Sequence, residues 1–147
     1  IIKDFMDCSR RNTDMLDQLH KLYNSNLDLF NLIHIEDDWL FSHGGVYKGW
    51  MDKYEFTLED LNLKTFIGSH WPALEDLSMY RGGYNYVGSC VWADIRESLK
   101  NELFPGYKQV VGHTQLNDKP FITDKIVCVD VRRCFILDTI TGKIENA

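Results

Sequence analysis

The sequence predicts an α/β domain, in which amino-terminal helices are followed by mainly antiparallel or mixed β-structure. Two observations predict this class: apolar residues recur at helical spacing early in the chain, and short apolar runs fill the last third. The chain has 147 residues, of which 44% are hydrophobic and 13% aromatic. That length and composition fit a single domain spanning residues 1–147 with a substantial core.

The first segment, residues 7–35, is predicted to be helical and to be interrupted at 24–26, where Asn, Ser and Asn follow one another. Its apolar side chains recur every three or four residues, which places them on one face of a helix. They are Met15, Leu16, Leu19, Leu22 and Tyr23, followed after the interruption by Leu29, Phe30 and Ile33.

The middle of the chain alternates short elements with loops. Residues 37–42 read as a short strand that ends before a Gly-Gly pair. Thr57 and Asp60 form the pattern of a capping box, which predicts the start of a short helix. Residues 68–89 are rich in Gly, Ser, Tyr and Trp, and a long aromatic loop of this kind is predicted to line a site.

The last part of the chain is predicted to contain one helix and then strands. Residues 91–103 have helical spacing and stop at a Phe-Pro-Gly sequence. The apolar runs at 109–111, 126–129 and 135–137 read as strands, and the Thr-Gly pair at 141–142 reads as a turn.

The charge and the hydropathy of the chain argue against two classes of partner. The formal net charge is −6 and no basic tract is present, so a nucleic-acid-binding surface is not expected. No apolar run has the length of a membrane span and no signal-peptide pattern is visible, so a cytoplasmic protein is expected. The scattered cysteines, among them Cys128 and Cys134 in strand-like surroundings, are predicted to be buried free thiols.

Two histidines follow predicted strands at the points where loops begin. His43 follows an apolar run and precedes two glycines, and His113 lies between a glycine and Thr114 after a second apolar run. Sites in open α/β sheets lie beyond strand ends, and a neutral imidazole is a common metal ligand. Each histidine alone also fits a simple turn, and the spacing leaves both interpretations open.

Three short motifs occur in an order that resembles a known family. Residues 42–46 read Ser-His-Gly-Gly-Val, residues 91–96 read Val-Trp-Ala-Asp-Ile-Arg, and residues 111–114 read Val-Gly-His-Thr. Together they are similar to the later motifs of the calcineurin-like metallophosphoesterases, in the protein serine/threonine phosphatase-like branch with bacterial and phage members. The resemblance implies a four-layer α-β-β-α sandwich with two divalent metal ions, usually manganese, iron or zinc. It also implies that His43 and His113 ligate the same ion.

The same resemblance implies a phosphate-binding arginine, and Arg96 lies near that position. Arg81, in a Tyr-Arg-Gly-Gly sequence, is a second candidate from residue type alone, because a planar guanidinium matches phosphate oxygens. A plain surface role stays open for both arginines. Asp94 is expected either to orient Arg96 by ion pairing or to face solvent.

The chain departs from the family pattern in its missing motifs. It contains no D-x-H, G-D-x-x-D or G-N-H-E/D sequence, and Gln115 stands where some branches have a further histidine. The chain is therefore expected to be the carboxy-terminal portion of a metallophosphatase domain, with weak or no metal binding and no activity of its own. Removing half of a two-sheet sandwich exposes sheet edges, so such a fragment is expected to self-associate.

The function predicted for the parent protein is metal-dependent hydrolysis of phosphomonoesters by a hydroxide that two metal ions activate. The phosphorylated substrate is a phosphoserine or phosphothreonine protein or, within the same fold, a nucleotide or dinucleoside polyphosphate. The alternative is a non-catalytic domain that retains the metallophosphatase scaffold and binds a partner through residues 68–89.

Overall fold

A five-stranded mixed sheet forms the centre of the structure, a computed structural model that describes residues 13–62 and 66–147. Its strands are β1 (Ile33–Glu36), β2 (Trp39–Ser42), β3 (Lys108–Val111), β4 (Phe121–Ile122) and β5 (Ile126–Cys128). They lie in the order β1-β2-β3-β5-β4 across the sheet. Two further strands, β6 (Phe135–Leu137) and β7 (Ile144–Asn146), form a separate antiparallel pair.

The strand directions bring three carboxyl ends to one edge of the sheet. β2 pairs in parallel with β3, and β3 pairs in parallel with β5, whereas β1 and β4 are antiparallel to their neighbours. Parallel neighbours end at the same edge, so the loops that follow β2, β3 and β5 meet there. The motif histidines lie in two of these loops.

The described residues contain few regular helices, and two of these are short. In residues 13–62 and 66–147 they are α1 (Thr13–Ser25), α2 (Lys48–Tyr54) and α3 (Trp71–Leu74). Single helical turns lie at Leu27–Leu29, Leu58–Asp60, Phe66–His70, Met79–Arg81 and Ile95–Leu99. Within these ranges, none of the helices has both the length and the apolar character that a membrane span needs.

The main core contains Leu40 of β2 together with large aromatic side chains. Trp50 is 1% exposed, stacks on Phe66 with 6.2 Å between ring centroids, and donates from Nε1 to the carbonyl of Ala73. Buried Gln109 of β3 bonds to both the backbone amide and the carbonyl of a valine, Val46, each at 2.8 Å. This side-chain bridge fixes the segment after the Gly-Gly pair against the sheet.

The predicted α/β class is confirmed, and the sheet is mixed. The strand predicted at 37–42 is β2, and those predicted at 109–111, 126–129 and 135–137 are β3, β5 and β6. The regular elements of the last third of the chain are therefore strands, as its apolar runs predict. Strands β4 and β7 were not predicted, because β4 has only two residues and β7 (Ile-Glu-Asn) contains a single apolar residue.

Several smaller predictions are also confirmed. Helix α1 ends within the interruption predicted at 24–26. The capping box is present, with Asp60 Oδ2 accepting from the backbone N of Thr57 at 2.7 Å. The turn predicted at 141–142 contains Gly142 with a φ of 72°, a conformation that favours glycine.

Two predicted helices are wrong in part. Residues 33–36 pair with β2 as β1, because the sheet hydrogen bonds outweigh the helical spacing of the apolar residues before them. The segment 91–103 contains only the turn Ile95–Leu99, and Leu99 is 69% exposed. The helix start predicted at Asp7 lies outside the described residues.

The cysteine prediction is correct for Cys128 and wrong for Cys134. Cys90 and Cys128 are buried free thiols, whereas Cys134 is exposed. Cys134 precedes the small two-stranded sheet, which does not cover it. Cys8 lies outside the described residues.

Candidate functional site

The motif histidines meet at the sheet edge that the parallel strands define. His43 directly follows β2, and His113 lies two residues after β3. Their ring centroids are 4.6 Å apart, and His43 Nε2 lies 2.9 Å from His113 Nδ1 in a hydrogen bond. Two residues 70 positions apart therefore direct nitrogen atoms towards each other.

Glycine beside His43 lets the backbone pass close to a neighbouring loop. A Cβ at Gly44 would lie 2.9 Å from both the backbone N and the carbonyl O of Ala93, which leaves no space for a side chain. Gly44 N donates to the carbonyl of Cys90 at 2.7 Å, and Gly112 N donates to the carbonyl of His43 at 3.0 Å. Backbone hydrogen bonds thus fix the chain around His43 from two sides.

His113 has a left-handed backbone conformation, with φ at 61°. Residues other than glycine rarely take this conformation, and those that do are often found at functional sites. The ring packs edge-on against Trp92, with 5.4 Å between centroids and 86° between planes. His113 Nε2 is buried and has no hydrogen-bond partner in the described ranges, so this ring bonds through Nδ1, towards His43.

Both imidazoles are held in the neutral form at neutral pH. Burial, followed by the charges of Arg81 and His43, lowers the pKa of His113 to about 4. Burial also lowers the pKa of His43, against the opposing charge of Asp130. A neutral imidazole has a nitrogen lone pair available for a metal ion, which a protonated ring lacks.

A buried carboxylate anchors both candidate phosphate-binding arginines. The Asp94 side chain is 1% exposed, and its oxygens accept from Arg96 Nε at 2.7 Å and Nη2 at 2.9 Å. Arg81 Nη2 lies 3.2 Å from Asp94 Oδ2. Burial alone would raise the pKa of Asp94, but hydrogen bonds from Arg96 and the charge of Arg81 lower it overall. Of the two roles expected for Asp94, ion pairing is the one observed.

Arg81 is bonded directly to the loop of the second histidine. Its Nη2 donates to the carbonyl of His113 at 3.2 Å and to Thr114 Oγ1 at 3.0 Å. Its Nε is buried and has no partner among the described residues. Arg96 is 54% exposed and lies over the ring of Tyr80, 4.9 Å from the centroid. The structure therefore joins Arg81 to the histidine pair and holds Arg96 at a more exposed position.

The histidine pair fits two ligands of one metal ion. Two nitrogens that each lie about 2.1 Å from one ion are about 3.0 Å apart at a right angle and about 3.4 Å apart at the tetrahedral angle of zinc. The 2.9 Å between His43 Nε2 and His113 Nδ1 is close to the right-angle value. Binding of an ion between them requires the ring that donates this hydrogen bond to take its other tautomer. In residues 13–62 and 66–147, no group of three or more His, Cys, Asp or Glu side chains could hold an ion. A complete metal site at this edge would need ligands besides the pair.

Two polar residues at this edge were not among the predicted site residues. Asp130 lies two residues beyond β5, and its charge acts on both histidines. Thr114 Oγ1 accepts from Ile95 N at 3.0 Å as well as from Arg81, so it connects the loop after β3 to the arginine motif. The sequence offers one indication that Asp130 belongs to the site, because this residue follows a third apolar run just as the histidines follow the first two.

Residues 68–89 were predicted to line the site. In the structure, Arg81 of this segment bonds to the histidine loop, where its Nη2 donates to the carbonyl of His113. His70 packs instead against two core aromatics, with ring centroids 5.3 Å from Phe56 and 5.9 Å from Phe66. Much of this segment therefore belongs to the core or to the open surface.

The site consists of a neutral histidine pair, two arginines and the buried aspartate that joins the arginines. Its chemistry suits an anionic ligand next to a metal ion. No protein-family model, no curated protein and no solved structure matches the chain.

Proposed function

We propose that this chain is the carboxy-terminal portion of a metal-dependent phosphatase that hydrolyses phosphomonoesters and is built as a four-layer α-β-β-α sandwich. The observation that carries the proposal is the pair of nitrogens, His43 Nε2 and His113 Nδ1, 2.9 Å apart at the ends of parallel strands. The three motifs that resemble the calcineurin-like metallophosphoesterases supply both histidines, Asp94 and Arg96.

In the proposed site, His43 and His113 bind one of two divalent metal ions, which are manganese, iron or zinc. When bound, the ions polarise the phosphoryl group and lower the pKa of the attacking water. The chain keeps both imidazoles neutral and holds them on backbone that parallel strands fix. The described ranges supply these two ligands, and further ligands come from other parts of the protein.

Arg81 and Arg96 bind phosphate oxygens of the substrate in this proposal. A guanidinium has donors in a planar fork, and Asp94 uses only some of them. Arg81 is the better placed, because its Nη2 also bonds to the carbonyl of His113. Its Nε, buried and without a partner in the described ranges, is a donor that a phosphoryl oxygen would satisfy.

The experiment is manganese-dependent hydrolysis of an aryl phosphate by the complete protein that the gene encodes. His43→Ala and His113→Ala should each lower kcat by at least about a hundredfold, because each removes a metal ligand. His34→Ala is the matched control, since its side chain is 65% exposed on β1. Full activity in both site variants would refute the site assignment.

A second candidate is a non-catalytic domain that binds a protein partner through residues 68–89. Tyr84 and Tyr86 favour it, because they are 99% and 80% exposed on a loop whose backbone is bridged from Ser78 to Asn85. Aromatic side chains on fixed backbone are typical of protein interfaces. Partner binding that is lost in a Tyr84→Ser, Tyr86→Ser double variant and kept in His43→Ala would support this candidate.

A further inference from the structure

The loop that follows β5 lies at the same sheet edge as the histidine pair. Leu116 N donates to the carbonyl of Asp130 at 2.8 Å, and Val129 N donates to the carbonyl of Val111 at 2.9 Å. The loop after β3, which carries His113, is therefore bonded to the loop after β5. The charge of Asp130 in the second loop acts on both histidines, so this loop lies beside the site that the first loop forms.

Arg132, in the loop after β5, has a backbone φ of 57° and an exposed side chain. Arginine rarely takes this left-handed conformation, because its Cβ crowds the following carbonyl. Non-glycine residues held in it cluster at binding and active sites. His113 shares the conformation, so each of the two bonded loops carries one such residue.

The exposed side chain of Gln115 lies within hydrogen-bonding distance of the Arg132 guanidinium. With its amide oxygen turned to the guanidinium, Gln115 Oε1 accepts from Arg132 Nη2 at 2.9 Å and from Nε at 3.1 Å. Gln115 lies two residues after His113, so the guanidinium is tied to the histidine loop. No other described residue is bonded to this guanidinium, which leaves the Nη1 donors for a ligand.

Arginine is concentrated at this edge of the sheet. The arginines of the described ranges are Arg81, Arg96, Arg132 and Arg133. Lys108 begins β3 and Lys125 precedes β5 at the opposite edge. Lys119, in contrast, precedes β4 and joins the arginines at the histidine edge, because Phe121 of β4 pairs with Cys128. Arginine binds phosphoryl oxygens through a planar fork, whereas lysine acts as a point charge. This distribution favours a ligand with more than one phosphoryl group at the histidine edge.

We propose that Arg132, positioned by Gln115, binds a second phosphoryl group of the substrate, beside the one held at His43, His113 and Arg81. The substrate class is then a phosphate ester that carries a further phosphoryl group. This inference deepens the proposed phosphatase function and rests on it. Arg132 acts as a specificity-determining residue and takes no part in bond breaking.

The experiment measures binding of inorganic phosphate and of inorganic pyrophosphate to the chain by titration calorimetry, without added metal ions. Pyrophosphate should bind about tenfold more tightly, since one further charge-assisted arginine contact contributes about that factor. Arg132→Gly removes the guanidinium and suits a φ of 57°, so the fold should be kept. The variant should lose the tenfold preference while its affinity for phosphate changes by less than about twofold.

Arg133→Ala is the matched control, because it removes the same charge from the next exposed residue. It should keep the preference for pyrophosphate. Gln115→Ala should reduce the preference by about threefold, because the Arg132 guanidinium loses its orientation. Equal affinity of the wild-type chain for the two anions, no binding of either, or an equal loss of both in Arg132→Gly would overturn the proposal.

Failure of the proposed function gives a different result from failure of this inference. If the complete protein shows no metal-dependent hydrolysis, but Arg132→Gly abolishes a pyrophosphate preference, the phosphatase assignment fails and the second phosphate contact stands. If an aryl phosphate is hydrolysed and the preference is absent, the second contact alone fails. An acidic peptide without phosphate that binds as tightly as pyrophosphate would assign Arg132 to carboxylates and overturn the inference.

Discussion

Asp94 binds Arg96 through both carboxylate oxygens, at 2.7 and 2.9 Å, while its own side chain is only 1% exposed. Asp94→Asn keeps the shape of the side chain and removes its charge. The free energy of unfolding should fall by about 1–3 kcal/mol, because a buried ion pair is broken. The affinity for phosphate should fall about tenfold, because Arg81 and Arg96 lose their common anchor. Urea unfolding and calorimetric titration with phosphate measure these two quantities.

Asp52→Asn is the matched control for the Asp94 variant. Asp52 is exposed and pairs with Lys48 on the surface of α2, so its replacement should change the free energy of unfolding by less than about 0.5 kcal/mol. An Asp94→Asn protein that is as stable as the wild type would contradict the role of the buried anchor.

Gly44 should not tolerate a side chain. In Gly44→Ala the added Cβ would lie 2.9 Å from backbone atoms of Ala93, so one of the two segments must move. We expect a loss of about 1–3 kcal/mol in the free energy of unfolding, measured in urea. Gly49→Ala is the control, and it should raise the free energy of unfolding. Its added Cβ would lie at an ordinary 3.6 Å from Val87, and alanine favours the helix α2. Equal stability of the two variants would rule out the close contact.

The stability of the chain should depend on pH through the histidine pair. The pKa of His113 is about 4 in the folded protein, against 6.5 for an unperturbed ring, so the unfolded chain binds more protons between these values. The contribution of neutral His113 to the free energy of unfolding is therefore complete above pH 6.5 and is lost as the pH falls towards 4. The loss should reach up to about 2 kcal/mol, since the ring is partly solvated.

Urea unfolding between pH 4 and 7, in the presence of a chelator, measures this dependence. His113→Asn is the comparison, because asparagine tolerates a φ of 61° and does not titrate. The variant should show a shallower profile than the wild type between pH 4 and 6.5. Superimposable profiles would exclude the lowered pKa.

The exposed edge of the sheet should make the chain self-associate. β1 lies at one end of the five-stranded sheet, and edge strands present unpaired backbone groups to other chains. Sedimentation should show mass rising with concentration, and Ile35→Lys on β1 should weaken the association several-fold by adding a charge. Ile140→Lys, at a residue 91% exposed in a turn, should leave it unchanged. A monomer at every concentration would contradict the prediction.

Local sequence was sufficient to locate β2, β3, β5 and β6, together with the histidines that follow β2 and β3. Apolar runs followed by glycine predicted β2 and β3, and with them the positions of His43 and His113. The contact between the two rings spans 70 residues and depends on parallel pairing, which no local pattern reveals. The resemblance of the motifs was needed to expect the histidines on one ion.

The wrong helix at 91–103 has a cause that spacing cannot show. Glu97 is fully buried and accepts from Ser78 Oγ at 2.6 Å, from Gly88 N at 2.8 Å and from Asp94 N at 2.7 Å. A glutamate at helical spacing normally indicates a solvated face. Here its carboxylate bonds to the preceding loop, and the regular structure stops after one turn.

The contact of Gly44 with Ala93 sets the separation between the two halves of the site. Gly44 adjoins His43, and Ala93 adjoins Asp94, the carboxylate that binds the arginines. The close backbone contact between Gly44 and Ala93 therefore connects the histidine to that carboxylate. The separation between them is therefore a property of the main chain. Side chains around the site can change without altering that alignment. The scaffold can accordingly acquire new ligand preferences while the spacing between the histidine pair and the anchored arginines stays constant.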